Sequence, residues 1–414
     1  MHASFNEKQS TTAPGLQTLP RSVWALGLVS LLMDTSSELI HSLLPVFLVT
    51  VLGASAAWVG VIEGIAEATA SISKIFSGAI SDYFGRRKPL VVLGYGLAAL
   101  TKPLFPLASS ISFVLLARFV DRIGKGIREA PRDALIADVT PEPLRGRAYG
   151  LRQALDTVGA FLGPLAALAA MAVIADNIRI VFWLAVLPGL LALAVLAWGV
   201  EEPQLPPLQP EGEPRSPIRL VDLRKLEPTF WMIVAVGAVL TLARFSEAFL
   251  LLRAQSVGLP AAYVPLILIV MNVVYATSAY PAGIFADRLD RRALLAVGFL
   301  VLMGSDLVLG LASRIWTVMA GVALWGLHMG LTQGLLSAMV AAAAPAALRG
   351  SAFGIFNLIS GLMLLVANTI AGLLWDWFGA SATFYAGAII TTIGLGGMAL
   401  TEFSRKVIGP TTTC

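Results

Sequence analysis

A segment spaced Gly-x-x-x-Asp-x-x-Gly-Arg-Arg, at Gly78, Asp82, Gly85, Arg86 and Arg87, returns half a chain later. The second copy reads Gly283, Asp287, Asp290, Arg291 and Arg292, an offset of 205 positions. Another echo keeps almost the same offset: Pro141, Leu144, Arg145, Gly146, Ala148, Tyr149 and Gly150 against Pro345, Leu348, Arg349, Gly350, Ala352, Phe353 and Gly354. Two matches at one long spacing mean a duplicated unit of about 200 residues. Both echoes are short basic segments between long apolar runs, so the duplicated unit is a bundle of membrane helices.

Composition agrees. The chain is 57% hydrophobic and 13% charged, with a mean hydropathy of +0.81, more apolar surface than a soluble domain can keep from water. A helical span takes about 20 mostly apolar residues. The sequence offers about twelve, with cores at 22–50, 56–80, 90–108, 110–130, 148–173 and 178–199, then 229–252, 262–283, 293–312, 315–340, 352–374 and 381–402. The short alternating segments of a β-barrel are missing. Residues 1–21 are polar and lack the short apolar core of a cleavable leader, so the first run is expected to act as an uncleaved anchor. Cys414 stands alone and supplies neither a disulfide nor a thiolate metal site.

Placing both termini inside puts 19 of the 29 Lys and Arg residues in inner segments and only Arg179, Arg253 and Arg314 outside. By the positive-inside rule both termini face the cytoplasm, in a multi-pass protein of the cell inner (plasma) membrane. The net charge of +4 reflects that placement and implies no nucleic-acid partner. The expected organisation is an N-terminal tail (1–21), a six-helix bundle (22–200), a proline-rich cytoplasmic linker (201–227), a second six-helix bundle (228–404) and a C-terminal tail (405–414). The linker opens Glu201, Glu202, Pro203 and adds Pro206, Pro207, Pro210, Pro214 and Pro217, a density that keeps a segment extended. Its stretch from Pro217 to Leu226 has an amphipathic pattern.

The first copy of the repeated loop, from Gly78 to Leu90, resembles the signature between the second and third spans of the major facilitator superfamily. Tyr83 stands where the family usually has Arg, and Asp290 replaces a glycine in the second copy. The resemblance covers all twelve spans and implies an all-α fold of two pseudo-symmetric six-helix bundles. It also implies alternating access around a midplane site, a small-molecule substrate, a monomer in the lipid bilayer, and no cofactor. Similar charge runs at 121–133 occur in a poorly characterised bacterial and archaeal branch of the superfamily.

Within the loops, Gly78 and Gly85 suit tight turns, Asp82 can accept from helix-end amides of the opposite half, and Arg86 can pair with Asp138. Asp287, Gly283 and Arg291 are the counterparts in the second half. Such pairs would lock one face and break when it opens. In span five, Gly159, Gly163 and Pro164 resemble the motif that accompanies exporting antiporters in this superfamily, although Ala166 and Ala167 replace its trailing glycines. Two glycines four apart also serve ordinary close packing.

Intramembrane charges are costly and line cavities or relays. They concentrate in the first half: Asp34, Glu38 and His41 in span one, Glu63, Glu67 and Lys74 in span two, Arg118, Asp121, Arg122 and Lys125 in span four, and Arg152 with Asp156 in span five. The second half offers Arg244 and Glu247 in span seven, Asp306 in span nine and His328 in span ten. Two readings stand. Glu38 or Asp34 carries an exchangeable proton with Arg118 or Arg122 as a switch, or the charges form a permanent network holding spans one, two and four together. The Gly124, Gly126 and Pro131 run lacks the Gly-Lys-Ser/Thr of a phosphate cradle, and no catalytic set suggests an enzyme.

The chain thus reads as a secondary transporter that exports a drug-like or charged organic solute against protons. The alternatives are a divalent-metal exporter using Asp34, Glu38, His41 and Glu63, a proton-coupled importer, and a non-transporting receptor or scaffold. A fluorescent protein fused after residue 414 should fluoresce in a bacterial host while a phosphatase fused there stays inactive. The reverse pattern would invert the assigned topology.

Overall fold

The computed structural model describes residues 19–84, 86–174, 177–202, 226–288, 290–345 and 348–400. Regular structure among them is entirely helical and forms twelve spans. Spans one to six are Arg21–His41 continued by Leu44–Thr50, Ala56–Phe84, Lys88–Thr101 continued by Leu104–Leu107, Ile111–Val139, Arg145–Val173, and Ile178–Leu184 continued by Val186–Gly199. Spans seven to twelve are Pro228–Ala243 continued by Ala248–Ser256, Pro265–Arg288, Arg291–Leu311, Ile315–Ala343, Arg349–Phe378 and Ala380–Leu400. Ten of the twelve are long and apolar enough to cross a bilayer on composition alone. Spans two and four miss that mark because of their charges, and they pack against each other. The linker from 203 to 225, including most of its amphipathic stretch, lies outside the described residues.

The duplication is visible in backbone detail. Spans four and ten are both 29 residues long and begin at Ile111 and Ile315, 204 positions apart. Their N-caps, Ser110 and Arg314, are extended, and so are the C-caps, Thr140 and Ala344. Arg179 donates to the carbonyls of Pro106 and Ala108 at the end of span three. Arg253, from a different helix, donates to Gly310 and Ala312, the matching carbonyls of span nine. An arginine at a helix C-terminus satisfies orphan carbonyls and complements the dipole. Asp290, where a glycine was expected, caps span nine by accepting from the Arg292 amide at 3.0 Å.

Spans one and seven are interrupted at corresponding places, around Ser42 and Leu43 and from Arg244 to Glu247. The break in span seven is braced from span eleven, where Asn368 Oδ1 accepts from the Ser246 amide at 2.6 Å. In many transporters, helices interrupted at corresponding positions of two repeats line the substrate site.

The halves meet chiefly through span two against span eleven. A side chain at Gly60 or Gly64 would run into the backbone of Asn368 or Leu365, and one at Gly361 into Ser71. Ala160 of span five and Asn272 of span eight meet at 3.4 Å. We call the end carrying Arg21 and Leu400 the terminal end. Toward it, Gly146 and Gly150 of span five and Gly283 of span eight have no heavy atom within 4 Å of where a side chain would begin, whereas Gly60 and Gly64 are tightly packed toward the far end. Asp376 of span eleven completes the far-end closure: its two carboxylate oxygens accept from the Ala56 and Ala57 amides, each at 3.0 Å. One half thereby caps the second span of the other, at a partly positive helix start.

Loss of a cap costs about 0.5–2 kcal/mol. Asp376→Ala should therefore speed amide exchange over residues 54–60 by roughly 2- to 30-fold at one pH, read by hydrogen-exchange mass spectrometry. Unchanged exchange would mean Asp376 does not hold the far end shut.

Candidate functional site

Spans two and four run in the same direction, and their charges form a ladder. Arg118 Nη2 donates to both oxygens of Glu63 at 3.1 and 3.0 Å, Arg122 reaches Glu67 at 3.3 Å, and Lys74 reaches Glu129 at 2.9 Å. Each partner lies 55 positions after its mate, as constant register between parallel helices requires. The three rungs extend over about 16 Å of helix at 1.5 Å per residue. Gly94 and Gly124 let spans three and four approach, and Gly126 lets span four approach span two. Buried charges are tolerated only when partnered and hydrogen-bonded, and all six ladder charges are paired between these two helices.

Span one joins the ladder at its top rung. His41 Nδ1 faces Glu38 at 3.3 Å and its Nε2 faces Glu63 at 3.5 Å. The result is a line of four groups, Glu38, His41, Glu63 and Arg118. Glu63 and Arg118 side chains are almost wholly buried, whereas the Glu38 side chain is 29% exposed. Span five positions the exposed end. A methyl at Gly163 would lie 2.7 Å from Glu38 Cβ, and one at Gly159 would lie 2.5 Å from the Leu31 carbonyl and 3.1 Å from Asp34 Cβ. The two glycines therefore admit span one with both its acids on the contact face. Asp34 neighbours Asp156, which also takes Arg152 at 3.4 Å.

Comparison with known proteins agrees with this architecture. The Major Facilitator Superfamily profile matches residues 26–252 and 245–410. The chain belongs to the major facilitator superfamily. An uncharacterized transporter of this type from Methanocaldococcus jannaschii is 32% identical over 383 residues, covering 91% of this chain and 93% of that protein. The inner membrane transport protein YajR of Escherichia coli is 25% identical over 391 residues, 91% of this chain and 82% of that one. Among solved structures, a bacterial homologue of the human lysosomal transporter Spinster, inward-facing and occupied, superimposes with a TM-score of 0.75 at 16% identity, covering 94% of this chain and 98% of that one. The protein is thus a multi-pass membrane transporter of this superfamily.

Several expected residues sit elsewhere than the superfamily pattern suggested. Asp138 pairs with Arg87 at 2.5 Å, while Arg86 is exposed; the loop leaves span two so that the second arginine, not the first, turns toward span four. Arg87 and Lys88 also present their amides to Glu202, at 2.7 and 3.2 Å. Lys88 Nζ reaches the Ala197 and Val200 carbonyls. Gly78 is not in a turn, because span two stays helical to Phe84. Gly85, and the side chains of Asp82 and Asp287, lie outside what is described. Arg291 opens span nine. Span four, whose apolar core was expected to end near 130, continues through Pro131 to Val139 and buries Arg128 and Arg132. Arg128 stacks 4.6 Å from the Tyr95 ring, and Arg132 reaches Ser30 at 3.3 Å.

His328 does not line a cavity. It is fully buried with Nδ1 at 2.8 Å from the Gly298 carbonyl. Arg244 and Glu247 flank the break in span seven. Asp121 faces away from the ladder toward Lys102, at 2.8 Å, and Lys102 also donates to Ser37 at 2.9 Å. Lys102 is buried and escaped sequence reading, although a lysine before Pro103 inside an apolar run was the signal. Glu63, one charge of a stripe in the sequence, is the member that joins spans one, two and four. The overlooked signal was that span two and span four carry opposite charges at identical spacing.

Removing one member of a buried ion pair costs about 3–5 kcal/mol because the other charge is stranded. Arg118→Met should lower the melting temperature markedly, and Glu63→Gln with Arg118→Met should recover much of the loss. Additive losses in that cycle would mean the two side chains do not act as a pair.

Proposed function

We propose that this transporter exports a small, drug-like or charged organic solute in exchange for protons by alternating access, with Glu38 as the proton acceptor. The observation that carries this reading is Glu38 itself, a carboxylate only 29% exposed yet the most accessible member of a buried line through His41 and Glu63 to Arg118. Protonation removes the charge that holds His41, freeing the imidazole to lean on Glu63. The hold of span one on the ladder then changes while spans two and four stay fixed. Arg118 keeps its Nε donor unengaged, so its guanidinium has capacity for a second acceptor as the line rearranges. A cationic solute approaching Glu38 would compete with the proton for one negative charge, which is the exchange an antiporter needs.

With both termini in the cytoplasm, the open terminal end makes this the inward-open state. The Gly159, Gly163 and Pro164 motif supports export. So does a partial likeness to the multidrug resistance protein MdtH of Proteus mirabilis, 36% identical over 112 residues, 26% of this chain and 28% of that one. A metal cargo is less well supported: both His41 nitrogens already face carboxylates, and among the described residues no three His, Cys, Asp or Glu side chains form a metal-ligating group.

The test uses purified protein in liposomes holding a pH-sensitive dye and an imposed proton gradient. Lipophilic cations, divalent metals and small organic acids are added in turn. We expect gradient dissipation by one or more organic cations, abolished in Glu38→Gln with insertion and melting retained. Coupled transport in Glu38→Gln equal to wild type would remove Glu38 from the mechanism.

A further inference from the structure

The second half holds one ionisable group that the proton line does not use. Asp306 of span nine is fully buried, and neither carboxylate oxygen has a hydrogen-bond partner. The charged or titratable groups on spans seven, ten and twelve are Arg244, Glu247 and Arg253 on span seven, the last donating to the Leu309, Gly310 and Ala312 carbonyls, His328 on span ten and Tyr385 on span twelve. None forms an ion pair or hydrogen bond with it among the described residues. Its immediate neighbour is Gly387 of span twelve. A methyl at Gly387 would lie 2.6 Å from Asp306 Oδ2 and 3.3 Å from the Ala243 carbonyl oxygen, so carboxyl and carbonyl flank one glycine. Ala243 is the last residue before span seven breaks, where the final carbonyls of a helix lose their intrahelical donors.

The duplication sharpens the contrast. Lys102 stands 204 positions before Asp306, and its partner Asp121 stands 204 before Trp325. The first half therefore neutralises this place with a lysine and an aspartate 2.8 Å apart. The second half has an acid and an indole whose Nε1 is also buried without a partner. An ionised carboxylate here would meet an acceptor carbonyl and no cation, which is prohibitive in an apolar interior. A neutral acid is a donor as well as an acceptor and suits a carbonyl-lined break.

We infer that Asp306 is a second proton-binding site, seated in the second half against the break in span seven and holding its proton in the conformation seen here. It lies five residues before the far end of span nine, about 7–8 Å along the axis, on the side that is closed in this state. Rearrangement of the break on far-end opening is what would expose it to exchange. Its part in transport rests on the proton-coupled reading above; its protonation does not.

Infrared spectra of the full-length protein in lipid nanodiscs at neutral pH, in H2O and D2O, test this without any substrate. A protonated-carboxyl stretch that shifts in D2O should be present in wild type, lost in Asp306→Asn, displaced in Asp306→Glu and retained in Glu38→Gln. Asp306→Asn should melt within a few degrees of wild type. The inference is overturned if wild type and a folded Asp306→Asn share the same protonated bands, or if sodium raises the melting temperature of wild type but not of Asp306→Asn, which would make the group an ionised cation ligand. Should Asp306→Asn not fold, an unshifted band in Asp306→Glu overturns it alone. Glu38→Gln losing coupling while the Asp306 band is absent would sink this site and leave the Glu38 assignment standing.

Discussion

The Glu63–Arg118 ion pair, closed in the membrane interior between two parallel helices, is the contact on which the first half depends. Two charges removed from water are tolerated only as partners, and the same constraint repeats at Glu67–Arg122 and Lys74–Glu129. A ladder of constant register cannot slip by one residue without stranding all three pairs. Spans two and four are therefore tied in one register. Span one meets them through His41 by longer contacts, at 3.3 and 3.5 Å.

The two halves share a backbone plan and divide the chemistry. Moving 204 positions along the chain replaces Glu38 by Leu242, His41 by Phe245, Arg118 by Val322 and Arg122 by Gly326. Where the first half has a polar line, the second has Phe245 packed against Phe249, Trp325 and Phe384, with ring centroids 5.4 Å apart in each pair. The two halves share the extended caps and the paired breaks, and keep glycines at Gly94 and Gly298 and at Gly126 and Gly330. They do not share the charges of the first half's polar line. Trp375, next to Asp376, joins the same cluster through Phe249 and Phe384.

Much of the fold was legible because membrane spans announce themselves by length and hydropathy, and a repeated basic loop announces the duplication. Spans two and four were less plain, since their charges lower hydropathy and hid how far span four continues past Pro131. Candidate residues were found by type, as the stripe of Asp34, Glu38 and His41 illustrates. Partnership was harder to read. Arg87 rather than Arg86 meets Asp138 because the exit direction of a helix decides which of two adjacent side chains turns inward. His328 looked available in a glycine-rich stretch, yet those glycines bring neighbouring helices close enough to bury it. Lys102 and Asp306 needed the exact structural register before their correspondence could be seen.

We propose that one proton on Glu38, by loosening span one from the ladder, changes how the two halves meet at the far end. It is tested most directly by spin labels at Val51→Cys and Ser256→Cys, on either side of the far-end seam, with Cys414 replaced by Ser. Double electron–electron resonance in nanodiscs would follow the distance distribution as pH is lowered. The account expects acidification to populate a longer distance, and Glu38→Gln to hold that population at every pH. One distribution, unmoved by pH and unchanged in Glu38→Gln, would contradict it.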